Sequence, residues 1–98
     1  MPRFDDQTVL VTGGTGGQGS RHVRAFHAEG ANVVIGDIDA ERGVALADEL
    51  GTRARFTHLD FTDESSWSAA VLAAESAFGA LHVLVNNAGV QNPPAPIE

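Results

Sequence analysis

The stretch Thr8-Val9-Leu10-Val11-Thr12-Gly13-Gly14-Thr15-Gly16-Gly17-Gln18-Gly19 decides the fold. Its first five residues are β-branched or apolar and read as a buried strand. A glycine-dense turn follows, and a helical pattern opens beyond it, runs through Arg21 to about Glu29 and is stopped by Gly30. Glycines let such a turn tighten and let backbone approach a pyrophosphate, while the next helix points its free N–H groups at the anion. Next comes a short apolar strand, Asn32-Val33-Val34-Ile35-Gly36, ended by Asp37. The distance from Gly19 to Asp37 matches the spacing of about 20 residues between a phosphate-binding turn and a ribose-binding acid. A glycine-rich turn alone could equally close a hairpin or cap a helix. The strand before it, the helix after it and the acid at the next strand's end together predict a dinucleotide site.

The same alternation continues to the end of the chain. Strands are expected at about 7–12, 32–36, 54–59 and 82–86, and helices at about 17–29, 40–50 and 63–78. Gly43, Leu46, Ala47 and Leu50 recur at helical spacing, as do Trp67, Val71, Ala74 and Phe78. Asp39 and Thr62 are the expected N-caps, with Asp63 and Glu64 suited to the positive end of the third helix. Strand–helix alternation implies an α/β fold with a parallel sheet and right-handed crossovers. Four strands and three helices make slightly more than half of a doubly wound fold. The chain is read as one unit, 1–98, whose tail from Gln91 to Glu98 is held extended by its prolines.

Composition narrows the chemistry. The 98 residues are 43% hydrophobic and 19% charged, ordinary for a globular domain. The net charge of −7 argues against a nucleic-acid or anionic-membrane surface. A dinucleotide is anionic too, but helix dipoles and backbone N–H groups can hold it with few cations. With no cysteine there is no disulfide framework and no thiolate chemistry, and no metal site is expected. The histidines, His22, His27, His58 and His82, are scattered without metal-ligand spacing. No apolar run approaches the roughly 20 residues that span a bilayer. Nor does Met1-Pro2-Arg3-Phe4-Asp5-Asp6 have the apolar centre of a signal peptide. These features predict a cytoplasmic setting.

Thr12-Gly13-x-x-x-Gly17-x-Gly19, Asp37, Asp60 and Asn86-Asn87-Ala88-Gly89 together resemble the N-terminal half of a short-chain dehydrogenase/reductase, from Phe4 to Glu98. The resemblance implies a Rossmann-type sheet of order 3-2-1-4 that stops after its fourth strand. It implies that Gly13, Gly17 and Gly19 form the turn beneath the cofactor pyrophosphate, with Gln18 at a contact beside it. Asp37, with Ile38, would bind the adenosine ribose, and Asp60-Phe61 would lie against the adenine. Asn87, Ala88 and Gly89 would border the cofactor. Read without the resemblance, Asp60 could be a loop acid, and Asn87 and Gly89 an ordinary strand-ending turn. Thr12 reads as a backbone-bonding turn residue and Trp67 as part of its helix's packing stripe.

Asp37 bears on the choice of cofactor. Its carboxylate can accept from both ribose hydroxyls of NAD, whereas the extra phosphate of NADP would sit against it. Gly16 and Ile38 occupy positions where NADP-preferring relatives often carry a basic residue, and Arg21 and Arg42, the nearest cations, read as exposed helix residues. NAD is therefore the expected cofactor.

The chain departs from the family in three ways. Gln18 replaces a usual Ile or Leu, and His82 stands where an Asp often precedes the fourth strand, a change expected to be harmless. The third departure governs mechanism. The family's relay uses a Tyr as acid/base, a Lys beside it and a Ser on the substrate oxygen, and this sequence contains neither Tyr nor Lys. An unperturbed Tyr has a pKa near 10, so such a relay needs its cation to work at neutral pH. No catalytic residue is assigned. The expectation is the cofactor half of an NAD-dependent oxidoreductase that turns nothing over alone. The alternatives are a stand-alone NAD-binding module or partner subunit, and a fragment that folds poorly and merely assembles with itself, with Val83-Leu84-Val85 as an exposed edge.

Overall fold

The computed structural model describes residues 6–13, 16–60 and 62–86. Seven elements alternate: β1 (Thr8–Thr12), α1 (Gly17–Ala28), β2 (Asn32–Asp37), α2 (Ala40–Leu50), β3 (Ala54–His58), α3 (Glu64–Phe78) and β4 (Val83–Asn86). All strand pairings are parallel, in the order β3-β2-β1-β4. The register aligns Val9 with Val33 and Val83, and Val33 with Ala54.

The near-continuous apolar runs of β1 and β2 arise because helices cover both faces of the sheet. Along each strand, alternate side chains go to opposite faces. Val9, Val11, Val33 and Ile35 pack with Val23 of α1 and Leu46 of α2 on one face. Leu10 and Val34 pack with Ala70 and Ala74 of α3 on the other, joined by Trp67 and Phe78. Trp67 thus belongs to the packing stripe, as its spacing predicted. Two helices on one face and one on the other is the doubly wound arrangement. It sets the carboxyl ends of β1, β2 and β3 along one edge.

Helix boundaries follow local chemistry. Gly30, at φ 98°, turns the chain out of α1, and Ala31 N–H bonds back to Phe26 O at 3.0 Å. Asp39 caps α2 by accepting from Arg42 N–H at 3.1 Å. The expected cap of α3, Thr62, is corrected to Asp63, whose carboxylate accepts from Ser65 N–H at 3.0 Å. The Thr62 hydroxyl turns back to donate to Asp60 Oδ1, and the cap falls one residue later. In α2, Gly43 seats the Phe56 ring of β3; a Cβ there would overlap that ring. This packing accounts for a glycine in a helix interior, which otherwise costs about 1 kcal/mol relative to alanine.

His82 does more than replace an acid harmlessly. Its ring Nδ1 accepts from Thr8 N–H at 2.9 Å, while its own N–H donates to Thr8 O at 2.9 Å. Thr8 is fully buried, so its N–H needs that partner. His82→Ala is expected to destabilise the fold by about 1–3 kcal/mol, the cost of a buried unpaired donor. His82→Asp, which restores an acceptor, should recover most of the loss. Urea unfolding of the three chains measures this, and equal midpoints for parent and alanine variant would refute the role.

Candidate functional site

Strand ends and helix starts meet at the carboxyl edge of the sheet. A cavity of about 370 Å³ opens there, lined by Thr12, Gly13, Asp37, Ile38, Leu59, Asp60 and Thr62. That volume lies within the range of small-molecule sites. Residues expected from sequence to share a site thus arrive together from three strand ends: Gly13 after β1, Asp37 and Ile38 at the end of β2, and Asp60 after β3. A larger depression of about 510 Å³ lies between α2 and β3, lined by Val44, Ala47 and Phe56 among others, away from the glycine turn.

Gly13 adopts φ 67°, which L side chains rarely take. Its N–H donates to Gly36 O at 2.8 Å and its carbonyl accepts from Gly16 N–H at 3.2 Å. These bonds fix the turn between β1 and α1. Gly16 is the N-cap of α1 and carries no side chain to satisfy the first-turn amides. By contrast, aspartates cap both α2 and α3. A Cβ on Gly17 would meet nothing within 4 Å, so packing does not demand that glycine. Open space before uncapped amides fits an anionic group such as a pyrophosphate. Gln18 is exposed in the first turn, whereas Gly19 is buried, letting the helix lie close on the sheet.

Two carboxylates flank the cavity, each held by its own turn. Asp37 Oδ1 accepts from Asp39 N–H at 3.0 Å, and Asp37 O accepts from Leu59 N–H at 3.0 Å. Asp60 Oδ1 accepts from both the Thr62 hydroxyl at 2.6 Å and the Thr62 N–H at 3.0 Å. The hydroxyl first, and then the amide, hold the Asp60 carboxyl below its ordinary range. Asp60 therefore stays a pure acceptor at neutral pH. Among the described residues the cavity lining contains no cation, and Ile38 is 64% exposed beside Asp37. Arg42 instead reaches Asp39 at 3.7 Å, and Arg21 is exposed on α1.

Thr12 lines the cavity, and its hydroxyl donates to Val85 O at 3.3 Å, tying β1 to β4. The sequence reading missed Leu59 and Thr62 as lining residues. The Asp60-x-Thr62 spacing was the available signal, since Asp side chains commonly bond the backbone two residues on. Phe61, Asn87, Ala88 and Gly89 lie outside the described residues, as does the tail from Gln91 to Glu98. Among the described residues, no His, Asp and Glu cluster could hold a metal ion, and no helix is long and apolar enough to cross a membrane. His27 lies by the far end of α1, where burial and then repulsion from Arg53 push its imidazole below the ordinary value.

Comparison with known proteins places this geometry in context. A family model described as short chain dehydrogenase matches residues 7–98. The chain is 56% identical over 90 residues to a 3-alpha-(or 20-beta)-hydroxysteroid dehydrogenase of Mycobacterium bovis, covering 92% of this chain and 35% of that protein. It is 43% identical over 97 residues to a trans-4-hydroxycyclohexanecarboxylate dehydrogenase of Sinomonas cyclohexanicum, covering 90% of this chain and 38% of the relative. A crystal structure of 3-hydroxyacyl-CoA dehydrogenase type-2 from Mycobacterium avium superposes with a TM-score of 0.82 at 46% identity, covering 88% of this chain and 33% of that one. The chain thus spans little more than a third of its curated relatives' length.

Proposed function

This chain belongs to the short chain dehydrogenase family, and on that footing we propose that it is the NAD-binding half of a dehydrogenase. The observation that carries the proposal is the cavity in which Gly13, Asp37, Ile38 and Asp60 meet beside the uncapped start of α1. In this reading the amides of Gly17, Gln18 and Gly19 bind the pyrophosphate, and Asp37 accepts from the ribose hydroxyls. Asp60, with Phe61, borders the adenine; Asn87, Ala88 and Gly89 continue the cofactor edge beyond β4. The dinucleotide would supply hydride chemistry toward an alcohol or carbonyl substrate. What these residues do is bind and orient it.

NAD is preferred over NADP because the cavity lining, among the described residues, holds two carboxylates and no cation to meet a further phosphate. Proton transfer falls to residues other than Tyr or Lys of this sequence, since it has neither. We accordingly assign the 98 residues binding rather than turnover, in a cytoplasmic setting. A binding module that works as a partner subunit is the second reading. It draws on β4, which pairs only with β1 among the described strands and whose Leu84 is 37% exposed, an edge suited to another chain or copy.

An NMR amide titration tests the proposal. Addition of NAD should shift Gly13, Gly16 to Gly19, Asp37 and Asp60, while equal NADP should shift them far less. Amides that do not respond to NAD, or respond equally to both, would overturn the binding site or the cofactor preference respectively. Any alcohol-dependent reduction of NAD by this chain above the buffer rate would overturn the binding-only assignment.

A further inference from the structure

Among the described strands, β3 ends the sheet on the side away from β4, and its bonds to β2 reveal which of its groups face outward. Arg53 O accepts from Val33 N–H at 2.8 Å just before the strand, and Leu59 N–H donates to Asp37 O at 3.0 Å just after it. Alternate residues of a parallel strand bond to the same neighbour, so Arg55 and Thr57 also turn their backbone groups to β2. Ala54, Phe56 and His58 turn theirs to the open edge. Gly51 O already takes Ala54 N–H at 3.1 Å, whereas Ala54 O, Phe56 N–H, Phe56 O and His58 N–H have no partner among the described residues. No proline or bulge blunts this edge. Beside it lies the depression of about 510 Å³, whose lining includes Val44, Ala47, Ala54 and Phe56, with Val44 47% exposed.

We propose that this edge docks a second copy of the chain: β3 pairs antiparallel with its own two-fold image about Phe56, joining two four-stranded sheets into one. Under that symmetry Phe56 exchanges two hydrogen bonds with the second copy's Phe56, and each His58 N–H meets the other copy's Ala54 O. The ladder stops there, because the next donor, Ala54 N–H, is held by Gly51 O. Each free donor thus finds a free acceptor on the same short strand, and this self-match is what favours a copy over another partner. Side chains agree with the register. Phe56 faces Phe56, Arg55 faces Thr57 and His58 faces Ala54, so no like charges stand directly opposite. A net charge of −7 repels copies over most of the surface, but Ala54–His58 contains no acid.

Sedimentation equilibrium of the chain tests this. The parent's average mass should rise with concentration from 10.2 kDa toward twice that value. His58→Pro removes only an outward N–H, a change edge strands tolerate, and symmetry removes the bond twice. It should weaken the dimer by about tenfold or more. Val44→Glu brings two added carboxylates together where the depressions meet and should hold the chain at monomer mass. Val44 is exposed on α2, so this variant decides the matter if His58→Pro does not fold, as judged by its thermal transition. Leu84→Lys, at the open edge of β4, should leave the dimer unchanged. A parent that stays at 10.2 kDa overturns the proposal and leaves the edge to an extended segment of another protein. A dimer unweakened in either folded variant, His58→Pro or Val44→Glu, overturns it as well. So does a dimer that Leu84→Lys abolishes, which would put the contact on β4.

Discussion

Gly13→Val is expected to lower NAD affinity by about a hundredfold or more, on the reading that this turn lies beneath the pyrophosphate. Two effects combine. A β-branched residue at φ 67° is a steric outlier costing about 1–3 kcal/mol. The turn cannot relax cheaply, because Gly13 N–H is bonded to Gly36 O and its carbonyl to Gly16 N–H, at 2.8 and 3.2 Å. Part of the strain therefore lowers stability and part displaces the start of α1. The added side chain also enters the cavity wall that Gly13 forms and keeps backbone and phosphate apart. Gly13→Ala carries much of the backbone strain with far less bulk. It should lose comparable stability but distinctly less affinity. Thermal unfolding and calorimetric titration of both variants separate the two effects. Binding of NAD by a folded Gly13→Val chain within about threefold of the parent would remove Gly13 from the site.

How much of this was readable without coordinates depends on where each signal originates. The positions of β1 and β2 were legible because both are covered on both faces, so burial shows directly as unbroken apolar runs, whereas the sheet order was implied by the family resemblance. The convergence of Gly13, Asp37 and Asp60 was legible for a topological reason: in parallel strands every carboxyl end lies on one edge. Side-chain commitments were not legible. Thr62 looked like a cap, since its residue type and position suited one, but its hydroxyl turns back to Asp60 and the Asp63 carboxylate takes the first-turn amide instead. His82 looked inconsequential because the long-range partner of its ring, Thr8 N–H, is 74 residues away in sequence. Arg53 carried no signal at all. Its guanidinium donates to His27 O at 3.1 Å and Ala31 O at 2.7 Å, stitching the lead-in of β3 to the end of α1. Such contacts are properties of the folded surface and leave no periodicity behind.

Asp37→Ala should weaken NAD binding by about tenfold and collapse the preference for NAD over NADP by more than that. The first effect is the loss of a charged acceptor for ribose hydroxyls, about 1.5–3 kcal/mol. The second is the removal of a like charge. Two unit charges about 4 Å apart repel by roughly 4 kcal/mol at an effective dielectric of 20, an upper bound for a site open to water. Alanine alone is ambiguous, however, because Asp37 Oδ1 also accepts from Asp39 N–H at 3.0 Å, beside the cap of α2. Its loss could shift Ile38 and the start of α2, moving the cavity wall for reasons unrelated to charge. Asp37→Asn resolves this, since it keeps an acceptor for Asp39 and removes only the charge. If charge sets the preference, Asp37→Asn should lose discrimination against NADP nearly as fully as Asp37→Ala, with a thermal midpoint close to the parent's. If the turn sets it, Asp37→Asn should discriminate like the parent. Raising ionic strength provides an independent check, because screening should narrow the parent's NAD-to-NADP ratio and leave that of Asp37→Asn almost unmoved. Retention of the parent's ratio by both variants would show that Asp37 does not face the ribose.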